Sequence, residues 1–103
     1  MLPRSQRLHR SKDIQFAMRK GKRVPTKAGV FFFLPSQSQS RGCAITPKKI
    51  GNSVIRHRTA RRVREALRNF FVTHPTSFDI VVLTHSKDLS VSEWEEALRK
   101  ASI

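Results

Sequence analysis

The residues with the clearest chemical meaning are cations concentrated between positions 48 and 71. Eight lysines and arginines in this stretch face a single acid, Glu65. An arginine guanidinium can donate two parallel hydrogen bonds to a phosphate, which lysine cannot do. A face that served only solubility would mix both signs of charge. We therefore predict a phosphate-binding surface, which comprises Lys48, Lys49, Asn52, Arg56, His57, Arg58, Arg61, Arg62, Arg64 and Arg68.

The same sequence offers no pattern typical of a protein active site. The four histidines show no metal-ligand spacing, and the acids are scattered as Asp13, Glu65, Asp79, Asp88, Glu93, Glu95 and Glu96. A nuclease site in protein needs clustered carboxylates or an acid and base pair. Glycine-rich loops that hold nucleotides are absent from the sequence as well. We expect no catalytic residue, no metal site and no cofactor bound by the protein alone.

A long amphipathic helix is expected to position the cations. Asn52 or Ser53 can cap its amino end, and neither Gly nor Pro interrupts the twenty residues that follow. Arg56 falls near the apolar edge in the first turn, where positive charge opposes the helix dipole, so a bound polyanion would stabilise it. At the helical period, the apolar arc comprises Ile55, Thr59, Val63, Ala66, Leu67 and Phe70, opposite most of the arginines.

Charge and composition restrict the class of partner. The formal net charge of +14 favours nucleic acid, and residues 1–73 carry eighteen Lys and Arg against two acids. The longest apolar run, 30–34, is too short to cross a bilayer, and the basic amino terminus lacks the apolar segment of a secretory signal. Cys43 is the single cysteine, so an intramolecular disulfide is excluded. We expect a cytoplasmic protein with neither a membrane nor a small molecule as its partner.

The other segments predict further helices and strands around the basic helix. Ser11 is expected to cap a short helix that Gly21 ends, and a box of Ser90 and Glu93 opens the last helix. Strands are expected at 30–34, 42–46 and 78–84, with the polar tract 36–40 joining the first two as a hairpin. The near-continuous apolar character of 78–84 indicates an interior strand.

This order of elements predicts an α/β (α+β) two-layer sandwich. Its small mixed sheet would contain a βαβ unit built around the long basic helix. At 103 residues the chain is long enough for one domain, so we expect residues 1–103 to form a single RNA-binding domain. Residues 1–10 are basic, polar and without periodicity, which indicates a flexible arm.

The central segment P-K-K-I-G-N-S-V-I-R-H-R-T-A-R-R-V-R-E-A resembles the signature of the protein subunit of bacterial ribonuclease P. That signature reads approximately S-K-K-V-G-N-A-V-x-R-N-R-x-K-R-x-x-R-E, so His57 replaces an asparagine and Ala60 a lysine. The segments S-K-D-I at 11–14, G-K at 21–22 and D-I-V-V at 79–82 also resemble family elements, in the same order.

The resemblance implies a subunit of an endoribonuclease whose chemistry lies elsewhere. In this family the RNA subunit cleaves with bound Mg²⁺, and the protein helps to bind precursor tRNA by its 5′ leader. Ile14 and Met18 correspond by position to two phenylalanines that line the family's leader-binding cleft. Both positions have lost their rings, so Phe32 or the off-register Phe16 would have to supply an aromatic surface.

Two other classes of protein remain open at this point. A small basic ribosomal protein, or another structural RNA-binding protein, would account for the size, the charge and the lack of catalytic residues. A helix-turn-helix DNA-binding protein would use the arginine helix to enter a groove. That motif needs a preceding helix joined by a short turn, whereas here the segment 48–51 follows a predicted strand.

Overall fold

A four-stranded sheet with helices on both faces forms the centre of the protein. The computed structural model describes residues 2–74 and 77–102, so Met1, Pro75, Thr76 and Ile103 lie outside the described part. The helices are α1 (Ser11–Lys20), α2 (Ser53–Thr73) and α3 (Val91–Ala101), and the strands are β1 (Lys22–Pro25), β2 (Gly29–Pro35), β3 (Arg41–Ile45) and β4 (Phe78–Thr84). Two short 3₁₀ turns occupy Arg4–Gln6 and Lys48–Ile50.

The strand order is β1-β2-β4-β3, which places β4 in the interior of the sheet as its apolar sequence predicted. Strand β2 pairs antiparallel with β1 and β4, whereas β3 runs parallel to β4. Strand β3, helix α2 and strand β4 thus form the expected βαβ unit, and the mixed α+β fold class is confirmed. The predicted hairpin between β2 and β3 is wrong, because β4 lies between them.

The larger apolar core lies between the sheet and the two helices α2 and α3. Alternate residues of the strands point into it, among them Phe31 and Phe33 of β2 and Ile80 and Val82 of β4. The helices contribute Val63, Ala66, Leu67, Phe70, Trp94, Leu98 and Ala101. The buried arc of α2 therefore coincides with most of the arc expected from the sequence, and only Ile55 is less than fully buried.

Helix α1 covers part of the opposite face of the sheet. Its Ala17 is fully buried against Val30, Phe32 and Val81, which are the residues that alternate with those of the larger core. The side chains of Ile14 and Met18 pack at the border of this second cluster. This helix adds a partial third layer to the predicted two-layer sandwich.

Residues 2–10 pack onto the protein in this structure, in contrast to the flexible arm expected for residues 1–10. The side chains of Leu2 and Leu8 are almost completely buried. The Leu8 N–H donates to the Gly42 carbonyl at 2.9 Å, next to a parallel bridge between Arg7 and Gly42. The segment therefore extends the sheet at the free edge of β3, a contact between residues far apart in sequence.

Local signals fix most of the helix ends. Asn52 caps α2, since its side-chain oxygen accepts from the Ile55 N–H at 3.0 Å, and the Ser90 and Glu93 capping box of α3 is present. Ser11 was the predicted cap of α1, but it is the first helical residue. The cap position is occupied by Arg10, whose side chain makes no capping hydrogen bond. Strand β3 begins one residue earlier than expected, at Arg41.

Gly42 lets β3 approach α2 closely. A Cβ atom at this position would lie 2.9 Å from Leu67 Cδ1 and 3.3 Å from Phe71 Cζ. Either side chain would have to move, so the absence of a Cβ allows the helix to lie directly on the strand.

Candidate nucleic-acid interface

A continuous row of basic side chains runs along the solvent side of α2. His57, Arg61, Arg64 and Arg68 follow one another at three- and four-residue spacing, which places them on one side of the helix. His57, Arg61 and Arg68 are exposed, and Arg64 is half-buried. Arg58 is also exposed, towards the other side of the same surface. These five residues form the basic row, whose buried opposite arc holds it rigidly on the sheet.

Two of the predicted phosphate-binding arginines make contacts within the protein. Arg62 donates from Nη1 to the Leu89 carbonyl at 3.3 Å, so it links α2 to the loop before α3. Arg68 forms an ion pair with Glu65 at 3.0 Å, one helical turn earlier. Arg62 is therefore partly structural, whereas the exposed ion pair of Arg68 stabilises little and can open for a phosphate.

Arg56 lies on the buried side of the first turn of α2. The side chain is half-buried, and its Nε is covered from solvent without a hydrogen-bond partner in the described part of the chain. A buried donor of this kind costs free energy until it finds an acceptor. Its position agrees with the apolar edge expected from the sequence.

The turn before α2 carries the predicted residues Lys48, Lys49 and Asn52, all exposed. The backbone of Gly51 has a φ of 153°, a value that residues with a side chain rarely adopt. Glycine at this position lets the turn lead directly into the helix. Asn52 is engaged as the helix cap, which leaves its amide N–H₂ group for a ligand.

A basic hollow beside this turn was missed by the sequence analysis. Lys49 and Ile50 share a concavity of about 310 Å³ with His85 and Lys87, which follow β4. Because β3 and β4 are parallel, the segments after both strands meet at the same edge of the sheet. The local sequence does not predict this hollow, since its formation depends on the pairing of β3 with β4.

A groove of about 310 Å³ lies between the basic row and α1. Its lining comprises Leu2, Arg7, Leu8, His9, Ile14, Gly42, Cys43, Ala44, Ile45 and Arg64. Arg64 is thus a member of both the basic row and the groove. The amino-terminal segment and the edge of β3 supply most of the walls, and neither was expected to contribute from the sequence.

The Cys43 thiol lies in the wall of this groove. Burial raises the pKa of the thiol from 9.0 to about 12, and the positive charge of Arg64 opposes that shift. Cys43 is therefore a neutral, apolar part of the wall at neutral pH.

The four residues predicted for the leader-binding cleft separate into two groups. Ile14 and Met18 of α1 pack against the apolar cluster that contains Phe32 of β2, and Ile14 also lines the groove. The Phe32 ring is only 5% exposed, so it supports the cleft from below rather than offering a free face. Phe16 lies on the outer side of α1, away from the sheet, and is 46% exposed.

Arg41 fastens α1 to the sheet at the edge of this region. It donates from Nε to Asp79 Oδ1 at 3.1 Å and from Nη2 to Asp79 Oδ2 at 2.8 Å, which is a bidentate pair. Its Nη1 also lies 3.6 Å from Asp13 Oδ2 in the first turn of α1. Hydrogen bonding to Asp79 raises the pKa of the Arg41 guanidinium above its ordinary value, against an opposing effect of burial.

The described residues contain neither a candidate metal site nor a candidate membrane span. Residues 2–74 and 77–102 contain no group of three or more His, Cys, Asp or Glu side chains able to hold a metal ion. No helix within those ranges is long and apolar enough to span a membrane.

Comparison with known proteins decides the family. The sequence profile of the family described as Ribonuclease P matches residues 2–102, which is nearly the whole chain. The chain belongs to the ribonuclease P protein family. The resemblance first indicated by the central basic segment is therefore confirmed.

Curated relatives in the ribonuclease P family cover most of the chain. The ribonuclease P protein component of Bacillus velezensis is 30% identical over 96 residues, which span 90% of this chain and 83% of that protein. The ribonuclease P protein component of Mycolicibacterium gilvum is 30% identical over 107 residues, with 98% and 86% of the two chains covered.

Solved structures of ribonuclease P proteins share the fold. The protein from Thermotoga maritima superposes with a TM-score of 0.77 at 26% identity, and the match covers 91% of this chain and 92% of the other. A protein from Staphylococcus aureus superposes with a TM-score of 0.73 at 24% identity over 99% and 90% of the chains, which supports the fold alone.

Proposed function

We propose that this chain is the protein component of a ribonuclease P that assists the endonucleolytic 5′ maturation of tRNA. It would bind the RNA subunit of the enzyme through the basic row of α2, together with Lys48, Lys49 and Arg56. It would hold the 5′ leader of precursor tRNA in the groove between α1, β3 and α2. Membership in the ribonuclease P family supports the assignment to this enzyme. The geometry of the described residues supports separate surfaces for the RNA subunit and for the leader.

The observation that carries the proposal is the shared position of Arg64. This side chain belongs to the exposed basic row and also lines the groove. An RNA that follows the row would therefore reach the groove without leaving the basic surface. Guanidinium groups suit the phosphates of the backbone, and the apolar walls made by Ile14 and Ile45 offer the bases of an unpaired strand van der Waals contact without ring stacking.

We assign the hydrolysis of the phosphodiester bond, and the Mg²⁺ that it needs, to the RNA subunit. The resemblance to the family implies this division, and the scattered acids of the chain supply no alternative of their own. The work of the protein is then to hold the precursor in place, which favours cleavage by positioning rather than by acid and base chemistry. A cytoplasmic location follows from these RNA partners.

Reconstitution tests the proposed function directly. Purified protein is combined with a bacterial ribonuclease P RNA at low magnesium concentration, where the RNA alone cleaves precursor tRNA poorly. We expect the protein to restore cleavage at the mature 5′ end and to cleave nothing without the RNA. Binding to RNA without any effect on 5′ cleavage would favour a ribosomal or other structural RNA-binding protein instead.

A comparison of two substrates tests the groove. Ile14→Ala is expected to weaken binding of precursor tRNA that carries a leader of several nucleotides, and to leave the affinity for mature tRNA unchanged. Phe32→Ala is a poorer choice, because its ring is buried and truncation would cost stability. Equal losses of affinity for both tRNAs would place the leader outside the groove.

A further inference from the structure

The outer side of α1 carries an exposed aromatic ring among cations. Phe16 is 46% exposed and belongs to neither apolar cluster, in contrast to the buried rings of Phe31, Phe32 and Phe33. About half of the Phe16 surface is therefore open to solvent. An aromatic side chain left in water on a rigid helix is a surface on which another flat group can stack.

Three basic side chains surround this ring. Lys12 lies four residues before Phe16, and Arg19 and Lys20 lie three and four residues after it, so all are its neighbours on the helix surface. All three are exposed. The acid of the helix, Asp13, is turned towards Arg41 on the sheet and leaves this side without negative charge.

We infer that Phe16, Lys12, Arg19 and Lys20 form a second RNA site, which stacks an unpaired base on the ring and holds the flanking phosphates. Charge complementarity selects this occupant, because a nucleotide presents a flat ring together with negative phosphates. A protein partner fits less well, since lysine is depleted in the cores of protein interfaces. The site rests on the proposed function, and it lies on the opposite side of α1 from Ile14 and Met18.

The two sides of α1 would then contact different nucleotides. The inner side, with Ile14, borders the groove proposed for the leader, and the outer side faces solvent. An RNA bound there can be a single-stranded part of the RNA subunit or a more distant part of the leader. The shared chemistry is an unpaired nucleotide, and the experiment below separates the two sources.

Fluorescence of an added tryptophan reports stacking. Phe16→Trp places an indole at the ring position, while the native Trp94 is only 1% exposed and gives a constant background. We expect the fluorescence of the new tryptophan to be quenched when ribonuclease P RNA is added to the protein, either alone or together with precursor tRNA. Glu96→Trp is the matched control, since Glu96 is exposed on α3, outside both this site and the basic row. Quenching by the RNA subunit alone identifies that RNA as the source, and quenching only with precursor tRNA identifies the leader.

Affinity measurements complete the test. Phe16→Leu removes the ring but keeps apolar volume, so we expect affinity for the RNA concerned to fall about tenfold, with Phe16→Tyr close to the native protein. The thermal midpoint should not fall in either variant. Native affinity for Phe16→Leu, or a change in its oligomeric state alone, would overturn the stacking site.

Arg61→Ala separates failure of this site from failure of the proposed function. If Arg61→Ala weakens RNA binding while Phe16→Leu does not, the second site is wrong and the proposed function stands. If neither variant affects RNA binding and the protein does not stimulate cleavage, the proposed function itself is wrong.

Discussion

Arg61 and Arg62 are neighbours in the sequence but lie on different sides of α2. Arg61 is exposed in the basic row, whereas Arg62 reaches the carbonyl of Leu89. The same residue type therefore has two purposes within one turn of helix. The sequence alone grouped both residues as phosphate ligands, because an amphipathic pattern does not reveal which arginine has an acceptor nearby.

Substitution by alanine should separate these roles. Arg61→Ala is expected to reduce the slope of log affinity for RNA against log salt by about 0.7 to 0.9, the value for one lost phosphate contact, at an unchanged thermal midpoint. Arg62→Ala is expected to lower the free energy of unfolding by about 1 kcal/mol through the lost hydrogen bond. Filter binding across a salt series and thermal unfolding check both variants. A loss of stability only in Arg61→Ala would contradict this assignment.

Cys43 gives a prediction with a definite pH dependence. Its thiol has a pKa raised to about 12 by burial, against 9.0 for an exposed thiol. At a given pH below 9, alkylation of the folded protein should therefore be about a thousandfold slower than after denaturation. The rate for the folded protein should keep rising above pH 9, where the rate for the denatured chain levels off.

The same shift affects stability only in alkaline solution. The unfolded chain releases the thiol proton near pH 9 while the folded chain retains it, so this contribution to stability is lost between pH 9 and about 12. Rapid alkylation of folded protein at neutral pH would show that the groove wall opens readily.

At the scale of elements, an ionic contact at 3.6 Å between Arg41 and Asp13 links α1 to the sheet beside the apolar packing of the helix. Arg41 of β3 pairs with the buried Asp79 of β4 and approaches Asp13 of α1. Both the groove and the outer stacking site depend on the position of this helix. We therefore expect Arg41 to influence RNA binding through the helix that it contacts.

Removing Arg41 should be costly because Asp79 would remain buried without its partner. We expect Arg41→Met to lower the free energy of unfolding by about 3 kcal/mol, near the low end for a broken buried pair because Arg41 is partly exposed. The double variant Arg41→Met with Asp79→Asn should recover part of the loss. Urea unfolding of both single variants and the double variant measures the coupling. Additive losses would mean that the pair contributes nothing beyond its separate side chains.

Local signals predicted most elements but not their neighbours. The Asn52 cap, the Ser90 capping box and the apolar run of β4 were each visible within a few residues of sequence. The separation of β2 from β3 was not, because a polar tract such as 36–40 predicts a turn without saying whether the strands on either side of it pair. The hairpin interpretation failed where pairing joins β3 to a strand almost forty residues further along.

The candidate site was predictable to the same extent. The basic row follows from helical periodicity, so its residues were found from the sequence. The groove combines Leu8, Cys43 and Arg64 from three segments, which only the folded chain brings together. Phe16 was considered for the cleft only as an off-register alternative, and its 46% exposed ring lies on the opposite side of α1 from Ile14, since two residues along a helix turn a side chain by about 200°.

For the molecule as a whole, the amino-terminal segment is part of the folded structure. Leu2 and Leu8 are buried, and the backbone of Leu8 bonds to β3. Their two side chains are separated by polar and basic residues without a helical or strand period. That composition led to the expectation of a flexible arm, because isolated leucines carry no periodic signal.

Leu8→Ala tests this correction. We expect the free energy of unfolding to fall by about 2 to 5 kcal/mol, since a buried leucine would be replaced by a cavity. Arg4→Ala is the matched control in the same segment, and as an exposed residue it should change stability by less than about 0.5 kcal/mol. Denaturant unfolding compares the two variants. Equal and negligible effects would restore the flexible arm.

The place of β4 in the sheet has a consequence during synthesis on the ribosome. β4 is the strand that joins β2 to β3, yet it is translated after both of them and after α2. Until Phe78–Thr84 has left the exit tunnel, Phe31 and Phe33 of the nascent chain lack the strand that completes their layer. A strongly basic, aromatic-rich intermediate is thus exposed late in translation, and its uncovered apolar surface is of the kind that makes partly folded chains prone to aggregation.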